Sequence, residues 1–494
     1  MSQRQRVVVV TGGGNGIGAA VASELRRQRW YVVTVDPMLS LDGSTKSDDA
    51  PPPSGDRAVD LSVTDAEGVR ALFTSLADEF GALDAVVNVA GISRPTSFTA
   101  GSEEDWRAVL DVHLNGYRNV LAAALPLMAA QGHGRILGVT SGSGWRFGDA
   151  GAYGVAKRAV AALTWQLGAC APEGVTVNAM SPIAVTRMVT AALERAGVAG
   201  AKGANAGPLF GTMPQPEEIG PLGAFLVSDD FTWCTGEIIF AGGSEAAVVE
   251  APRLLEVFPP HLGMAGPAFI AAEASQTSGG GSNPRDFESN DIGTMVTRCA
   301  VVSDRSDVGA AVAAAVEKSG IECRTITSAD ELGDADALVV ALAGPAASPS
   351  PTWEGVLAEH DGLVDALFAD AMWARAVADT GRLMRVVTIT DAATAGGFSR
   401  AQAVAQHTRP ARKTTKDRVC AFAVSDEGAS PDDLGAFAVW LLRQGDAANV
   451  SGAELVAGPG WIGIRSHPRA STSIVMGSAD VPEWFNAALQ DVIR

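Results

Sequence analysis

Four consecutive valines, Val7 to Val10, lead directly into a glycine-rich turn that runs from Thr11 to Gly18. An uninterrupted β-branched run predicts a strand buried on both faces, as in a parallel sheet. The glycines allow a tight turn, and the Ala-rich segment after them has helical composition. A strand, a turn and a helix in this order predict a βαβ unit, which restricts the first part of the chain to an α/β fold.

The same alternation continues along the first half of the chain. A second buried strand ends at Asp36, and Ala- and Leu-rich helical segments separate the strand-like runs that follow it. These runs are Ala85–Val89, Ile136–Val139, Val175–Asn178 and Glu237–Phe240. Strands that alternate with helices predict a doubly wound, Rossmann-like parallel sheet.

The second half repeats parts of the first. The chain has 494 residues, which is more than a single hydrophobic core usually organises. Trp353–Leu357 is similar to Trp106–Leu110, and Ser451–Leu455 is similar to Thr235–Ile239, in the same order along the chain. We therefore predict two tandem Rossmann-like domains, at 1–250 and 295–494, joined by a Pro-, Gly- and Ser-rich linker at 251–294.

Charge and composition exclude several classes of partner. The formal net charge of −19 disfavours nucleic acid and anionic membranes. The five cysteines have no metal-ligand spacing, so we expect no metal site. We find no signal peptide and no apolar run of the ~20 residues that a membrane helix needs, so we expect a cytoplasmic protein.

Two groups of residues in the first half carry chemistry. The glycine turn would let a pyrophosphate approach the positive end of a helix, and Asp36 would accept hydrogen bonds from ribose hydroxyls and repel a 2′-phosphate. This pattern predicts NAD rather than NADP. Tyr153 and Lys157 lie four residues apart in a helical segment, so they share one helix face, where the ammonium would lower the pKa of the phenol. Ser141 follows the preceding strand, where its hydroxyl could donate to a carbonyl.

Taken together, these features of the first ~250 residues resemble the short-chain dehydrogenase/reductase family. The matching pieces are Thr11–Gly18, Asp60–Leu61, Asn88–Gly91, Asn115, Ser141, Tyr153 with Lys157, Asn178–Pro182 and Val185–Thr186. The resemblance implies a catalytic tetrad in which Tyr153 exchanges a proton with the substrate, Lys157 assists it, Ser141 polarises the carbonyl and Asn115 holds a water. Ser143 is an alternative to Ser141, and His113 is expected to be structural.

The resemblance also implies which residues contact NAD. They are Gly12, Asn15, Gly16, Ile17, Gly18, Asp36, Asp60, Leu61, Asn88, Ala90, Gly91, Tyr153, Lys157, Pro182, Val185 and Thr186. Val89 and Ile183 stand where the family usually has Asn and Gly.

The sequence constrains the identity of the substrate less than it constrains the cofactor. Leu39–Gly43 resembles a loop of the (3R)-hydroxyacyl-CoA dehydrogenase branch, which implies an acyl-CoA or a similar hydrophobic hydroxy compound. A steroid or terpenoid alcohol is the alternative, and a non-catalytic NAD-binding scaffold is a second one. Candidate walls of the substrate pocket are Trp145, Phe147, Met188 and Phe210.

The second half lacks the residues of this chemistry. Aligned on the last glycine of the turn, Ser303, Asp304 and Asp307 replace Gly12, Gly13 and Gly16. Aligned through Val404 and Ala405, Gln402 and Gln406 replace Tyr153 and Lys157. We therefore predict a degenerate domain that binds no dinucleotide. The family commonly pairs subunits through the Tyr/Lys helix, so the second half could act as an internal partner, and a homodimer of the chain would resemble the family's tetramer.

Overall fold

Two mainly parallel sheets, one built largely from each half of the chain, confirm the predicted α/β fold. The computed structural model describes residues 4–38, 40–41, 43–45, 54–195, 213–259, 296–345 and 349–493. Leu39 and Asp42 of the predicted branch-specific loop, the candidate wall Phe210 and most of the expected linker lie outside the described residues.

The first half forms a sheet whose strand order reverses direction in the middle. Its strands are β1 (Val7–Thr11), β2 (Tyr31–Val35), β3 (Arg57–Val59), β4 (Ala85–Asn88), β5 (Gly134–Val139), β6 (Val175–Pro182), β7 (Ile238–Ala241) and β8 (Glu245–Glu250). They lie in the order β3-β2-β1-β4-β5-β6-β7-β8, parallel up to β7. β1 and β4 are neighbours at the point of reversal, where doubly wound sheets bind their ligands.

Helices connect these strands and cover the sheet. They are α1 (Gly16–Arg27), α2 (Ala66–Phe80), α3 (Glu103–Leu110), α4 (Gly116–Gln131), α5 (Gly151–Cys170), α6 (Arg187–Arg195) and α7 (Gly220–Phe225). All five residues of β1 are buried, as the run of valines predicts. No helix in the described part of the chain is long and apolar enough to cross a membrane.

The second half repeats this architecture. Its strands are β10 (Arg298–Ser303), β11 (Glu322–Thr325), β12 (Ala337–Ala341), β13 (Met384–Asp391), β14 (Val419–Asp426), β15 (Glu454–Gly458) and β16 (Trp461–Arg465). Its helices are α8 (Ser306–Lys318), α9 (Trp353–Glu359), α10 (Leu363–Asp379), α11 (Ala395–Thr408), α12 (Ala411–Thr414), α13 (Pro431–Arg443) and α14 (Phe485–Ile493). The strand order β11-β10-β12-β13-β14-β15-β16 matches that of the first half, and the described residues of the second half form no counterpart of β3.

The two halves exchange their last strands. β9 (Leu254–Phe258) leaves the first half and pairs antiparallel with β16, at the edge of the second sheet. β17 (Arg469–Val475) leaves the second half and pairs antiparallel with β8, at the edge of the first sheet. Each exchange covers the open edge of a hairpin, whose backbone groups would otherwise lack partners. Part of the segment expected to be a linker is therefore a strand, and the end of the second half completes the first sheet.

The Tyr/Lys helix α5 packs directly against α11 of the second half. One hydrophobic cluster runs without a break from the first sheet through Leu163 on α5 to Val404 on α11 and Leu367 on α10. At its centre Arg158 donates to Gln402 and forms an ion pair with Glu454. Both ions of this pair are at most 1% exposed. The interface between the halves is therefore continuous with the core of the first half.

Candidate active site

A cavity of about 240 Å³ lies at the carboxyl ends of the central strands of the first sheet. The glycine turn after β1 borders it on one side, and the residues that follow β2, β4, β5 and β6 complete its walls. Thirteen residues of the predicted site line this cavity: Gly12, Asn15, Gly16, Ile17, Asp36, Leu61, Ala90, Gly91, Ser141, Tyr153, Lys157, Pro182 and Thr186. The structure thus brings most of the predicted site together.

Four of the predicted cofactor contacts lie beside the cavity instead of lining it. A side chain at Gly18 would meet the carbonyl oxygen of Gly12 at 2.2 Å, so this glycine allows α1 to pack against the turn. Asn88 is buried and accepts a hydrogen bond from the Thr11 hydroxyl at 2.7 Å, which ties β4 to β1. The amide of Val185 donates to the carbonyl of Pro214, and Asp60 is exposed next to Leu61.

The glycine turn leaves open space at the start of α1. Gly12 and Gly16 have φ angles of +64° and +53°, which disfavour any residue with a side chain. A Cβ atom at Gly12 would lie 2.7 Å from the amide nitrogen of Ala90, whereas one at Gly16 would meet only Thr186, at 3.6 Å. Asn15 caps the helix by accepting from the amide of Gly16 at 2.7 Å. The turn therefore presents the positive end of α1 to the cavity.

The carboxylate of Asp36 is held at the rim of the cavity. One oxygen accepts from the amide of Gly14 at 3.0 Å, and the other accepts from the amide of Met38 at 2.7 Å. These bonds fix the side chain at the end of β2, facing the cavity beside the glycine turn. A carboxylate is thus fixed next to the open space at the glycine turn.

Ser141, Tyr153 and Lys157 line the cavity together. Ser141 follows β5, and Tyr153 lies in the first turn of α5. Lys157 lies one turn further along α5, with its ammonium 2.6 Å from the carbonyl oxygen of Val139 and 5.7 Å from the centre of the Tyr153 ring. Ser143 is not part of the cavity wall, and its amide donates to the Ser141 hydroxyl oxygen at 3.2 Å.

Burial governs the ionisation of this group. It raises the pKa of Tyr153, although the hydrogen bond from Ser141 acts in the opposite direction. Burial also lowers the pKa of Lys157 to about 7. The expected lowering of the Tyr153 pKa by its neighbour is therefore not found, because both groups are taken out of water and each resists its own charged form.

The prediction for Asn115 is wrong in its geometry. Between α3 and α4 the helix widens into a π-helical turn, Asp111–Asn115, which rotates the side chains that follow. Asn115 faces away from the cavity and donates to the carboxylate of Asp111 at 2.7 Å, on a surface groove shared with the second half. An Asp and an Asn four residues apart on a helix already indicated such a pair.

His113, expected to be structural, is buried against the backbone of Ile92 and also borders the cavity. Its ring packs edge-on against Tyr153, with the ring centroids 5.0 Å apart, and its Nε2 atom lies 2.9 Å from the carbonyl oxygen of Ile92. Burial and the charge of Lys157 lower its pKa to about 3, so the imidazole is neutral near pH 7. A side chain at Gly91 would lie 2.3 Å from His113, and this close approach explains the glycine there.

The candidate pocket walls are divided between core and cavity. Met188 lines the cavity. Trp145 is buried, packs near Phe240 and donates to the Ser181 hydroxyl at 2.9 Å, so it belongs to the core. Phe147 packs under the ammonium of Lys413, from the second half.

The strand pairing gives the true correspondence between the two halves. Val8 of β1 pairs with the first residue of β4, and Cys299 of β10 pairs with the first residue of β12, so Val8 and Cys299 occupy equivalent positions. Counting along the chain from this pair, Ser303, Asp304 and Asp307 do replace Gly12, Gly13 and Gly16. The Asp304 carboxylate accepts from the amide of Ala343 and so bridges the turn to the end of β12.

The correspondence of the catalytic helices differs from the sequence alignment. Val175 and Val419 take equivalent places in β6 and β14, and α5 then corresponds to α11 and α12 together. On this basis Gly397 and Ala401, not Gln402 and Gln406, replace Tyr153 and Lys157. The alignment through Val404 and Ala405 failed because the loop before α11 is shorter than the loop before α5.

Known proteins match the first half of the chain. The family model described as Enoyl-(Acyl carrier protein) reductase matches residues 12–243. The short-chain reductase protein NovJ of Streptomyces niveus is 34% identical over 250 residues, which are 49% of this chain and 94% of that protein. The 3-oxoacyl-[acyl-carrier-protein] reductase FabG of Thermotoga maritima is 31% identical over 243 residues, 48% of this chain and 96% of that protein.

A larger protein shares the same segment. The peroxisomal hydratase-dehydrogenase-epimerase of Neurospora crassa is 32% identical over 261 residues, which are 50% of this chain and 27% of that protein. All three relatives match about half of this chain, and the family model spans the cavity from Gly12 to Val189. Through its first half, this chain belongs to the short-chain dehydrogenase/reductase family, as the sequence motifs predict.

Proposed function

We propose that the first half is an NAD-dependent dehydrogenase that interconverts a secondary alcohol and a ketone. The observation that supports this most is that Ser141, Tyr153 and Lys157 share one cavity with the glycine turn. The Tyr153 hydroxyl exchanges the proton with the substrate oxygen, and Ser141 donates a hydrogen bond to that oxygen. Lys157, when protonated, favours the phenolate of Tyr153. When bound, the nicotinamide supplies the hydride donor or acceptor.

The lining of the cavity offers a suitable group for each part of a dinucleotide. The open space at Gly16 and the start of α1 fit a pyrophosphate. Asp36 at one end fits the ribose hydroxyls, and Lys157 and Thr186 at the other end fit the nicotinamide side. Leu61, Ala90 and the remaining predicted contacts would pack along the molecule between these ends.

The preference for NAD over NADP is proposed from the charge at the rim. The carboxylate of Asp36 would repel a 2′-phosphate, and the cations among the described cavity residues, Lys157 and Arg187, lie on other elements. Asp36→Asn removes the charge but keeps an oxygen that can accept from a backbone amide. The ratio of kcat/KM for NAD to that for NADP should fall in this variant. An unchanged ratio would assign the preference to other residues.

For the substrate we favour a 3-hydroxyacyl thioester or a similar hydrophobic hydroxy compound. One relative carries a name of this kind, the 3-oxoacyl-[acyl-carrier-protein] reductase. The apolar side chains of Leu41, Ile92 and Met188 line the cavity and suit an acyl chain, and exposed Arg187 at its edge suits a phosphate. The same apolar walls suit a steroid or terpenoid alcohol, which is the second candidate.

The second half takes the place of a partner subunit in this proposal and binds no dinucleotide. Arg158 on α5 and Gln402 on α11 occupy equivalent positions, and their side chains are in contact at 2.9 Å. Contact between equivalent positions is characteristic of a twofold axis. The carboxylates of Asp304 and Asp307 stand where a pyrophosphate would have to approach, and would repel it. Two such chains together would resemble a tetramer of single-domain enzymes.

The decisive experiment follows NADH formation by the full-length protein. The panel contains 3-hydroxyacyl-CoAs of increasing chain length, steroid alcohols and terpenoid alcohols, each with NAD and with NADP. Turnover of the CoA esters supports the favoured substrate, and turnover of the cyclic alcohols alone supports the second candidate. Tight NAD binding without turnover of any compound would instead indicate a non-catalytic scaffold.

A further inference from the structure

The loop that carries Ser141 is held from behind by the second half of the chain. This loop, 141–150, connects β5 to α5 and therefore sets the position of Ser141 relative to Tyr153. Its front face borders the cavity through Ser141. Its rear face meets α11 and α12, so any movement of these helices would be transmitted to the loop.

Two buried side chains of the second half make these contacts. The amide nitrogen of Gln406 donates to the carbonyl oxygens of Ser143 and Arg146, at 3.0 Å each. The guanidinium of Arg409 donates to the carbonyl oxygen of Trp145 at 2.7 Å and to Gln406 at 3.1 Å. Both side chains are 2% exposed, so water does not readily replace these bonds.

A short chain of hydrogen bonds leads from Gln406 to the reacting group. Gln406 holds the carbonyl of Ser143, and the amide of Ser143 donates to the Ser141 hydroxyl oxygen at 3.2 Å. Ser141 lines the cavity together with Tyr153, and its side chain acts to lower the pKa of the phenol. A displacement of the loop therefore changes the geometry of the hydroxyl that would polarise the substrate.

We propose that Gln406 and Arg409 are positioning residues, supplied by the second half, that fix the Ser141 loop in its catalytic geometry. This inference rests on the proposed function. It gives the second half a defined task at the active site, beyond covering an apolar helix face. Small misplacements of reacting groups lower rates strongly even when they arise away from the chemistry.

The chain offers a matched control for Gln406. Gln166 on α5 also bonds across the interface, donating to the carbonyl of Ala395 at 2.9 Å and to the Ser399 hydroxyl at 3.0 Å. Neither of these partners belongs to the Ser141 loop. Gln166→Met and Gln406→Met thus remove comparable inter-half hydrogen bonds, but only the second change frees the loop.

The test compares both variants in the full-length protein. Gln406→Met should lower kcat about tenfold to 100-fold with little change in KM for NAD, whereas Gln166→Met should stay within about twofold of wild type. In a Ser141→Ala background the Gln406→Met change should have little further effect, because the group that it positions is gone. Equal kcat values for the two glutamine variants, or full additivity with Ser141→Ala, would overturn the proposal.

Amide hydrogen exchange tests the positioning contact independently of the proposed enzymatic function, because it needs no substrate. The amides of residues 142–150 should exchange faster in Gln406→Met than in Gln166→Met, whether or not a substrate has been found. If wild-type protein turns over no compound but this difference appears, the proposed function fails while the positioning contact stands. Unchanged exchange in the loop would overturn the contact itself.

Discussion

At the scale of single residues, burial and charge oppose each other around Tyr153. Burial raises the pKa of Tyr153 and so disfavours its phenolate, and burial lowers the pKa of Lys157 to about 7 and so disfavours its ammonium. His113 is neutral near pH 7 and adds no charge. The state in which a charged Lys157 faces a phenolate is therefore disfavoured, and interactions made in the reacting complex must stabilise it.

Tyr153→Phe tests the proposed proton transfer most directly. The variant keeps the ring that packs against His113 but removes the hydroxyl that exchanges the proton. We expect kcat to fall by roughly 10²–10⁴-fold, while calorimetric titration gives nearly the wild-type Kd for NAD. A variant with at least a tenth of wild-type activity would contradict the assignment of Tyr153.

We expect the Lys157→Met variant to be more stable than wild-type protein by an amount that depends on pH. The folded-state pKa of Lys157 is lowered from 10.5 to about 7, so wild-type protein loses stability as the pH falls from above 10 to 7. Below pH 7 the loss is complete, because both states then carry the charge. The methionine variant avoids this loss. Its Tm relative to wild type should therefore be higher at pH 6.5 than at pH 9.5, and an equal difference at both values would refute the buried charge.

At the scale of elements, the helix pair α5 and α11 joins the halves through a buried ionic network. Glu454 of β15 accepts from Arg158 at 3.0 Å, and Arg465 of β16 lies 3.4 Å away from it. Burial raises the pKa of Glu454 and lowers that of Arg158 to about 10, so each ion depends on its partner. Each partner of the network therefore holds the other in place across the interface between the halves.

Breaking this pair should destabilise the whole chain. Glu454→Gln leaves the Arg158 charge without its carboxylate partner, for which we expect a loss of roughly 3–5 kcal/mol in the free energy of unfolding. Adding Arg158→Met removes the isolated charge and should restore more than half of that loss. Urea denaturation of the two variants measures both values. A double variant no more stable than the single one would show that the charge is not the cause.

At the scale of the whole molecule, the exchanged strands β9 and β17 make each half part of the other. The first sheet lacks its last strand without residues 469–475, and α14 adds Phe485 and Leu489 to a second hydrophobic cluster of that sheet, which contains Val8 and Val10. A fragment of residues 1–250 would therefore expose both a sheet edge and the apolar face of α5. The two halves are thus expected to fold and unfold together.

The intact chain should bind one NAD. In the part of the chain that the structure describes, the open glycine turn lies in the first half, and Asp304 bridges the corresponding turn of the second half to Ala343. Calorimetric titration of the full-length protein should give a stoichiometry of one, and Asp36→Ala should weaken this single site. Two equivalent sites per chain would refute the degenerate state of the second half.

Local sequence patterns determined much of the fold and of the site. The valine run, the glycine turn, Asp36 and the spacing of Tyr153 and Lys157 act over short distances, and the structure places all of them as these patterns predict. Periodicity determines which face of a strand or helix is buried, and glycine determines where the backbone can turn. Those properties are set by neighbouring residues and can be read without the rest of the chain.

Only the tertiary structure decided the remaining features. In the π-helical turn Asn115 faces a groove shared with the second half, and His113 borders the cavity, so the two side chains do not lie where the sequence alone placed them. The exchange of β9 and β17 depends on two distant strands, β16 and β8, whose outer edges these strands cover. The contact of Gln406 with the Ser141 loop joins residues more than half the chain apart. Such contacts depend on the packing of whole elements, which no local pattern encodes.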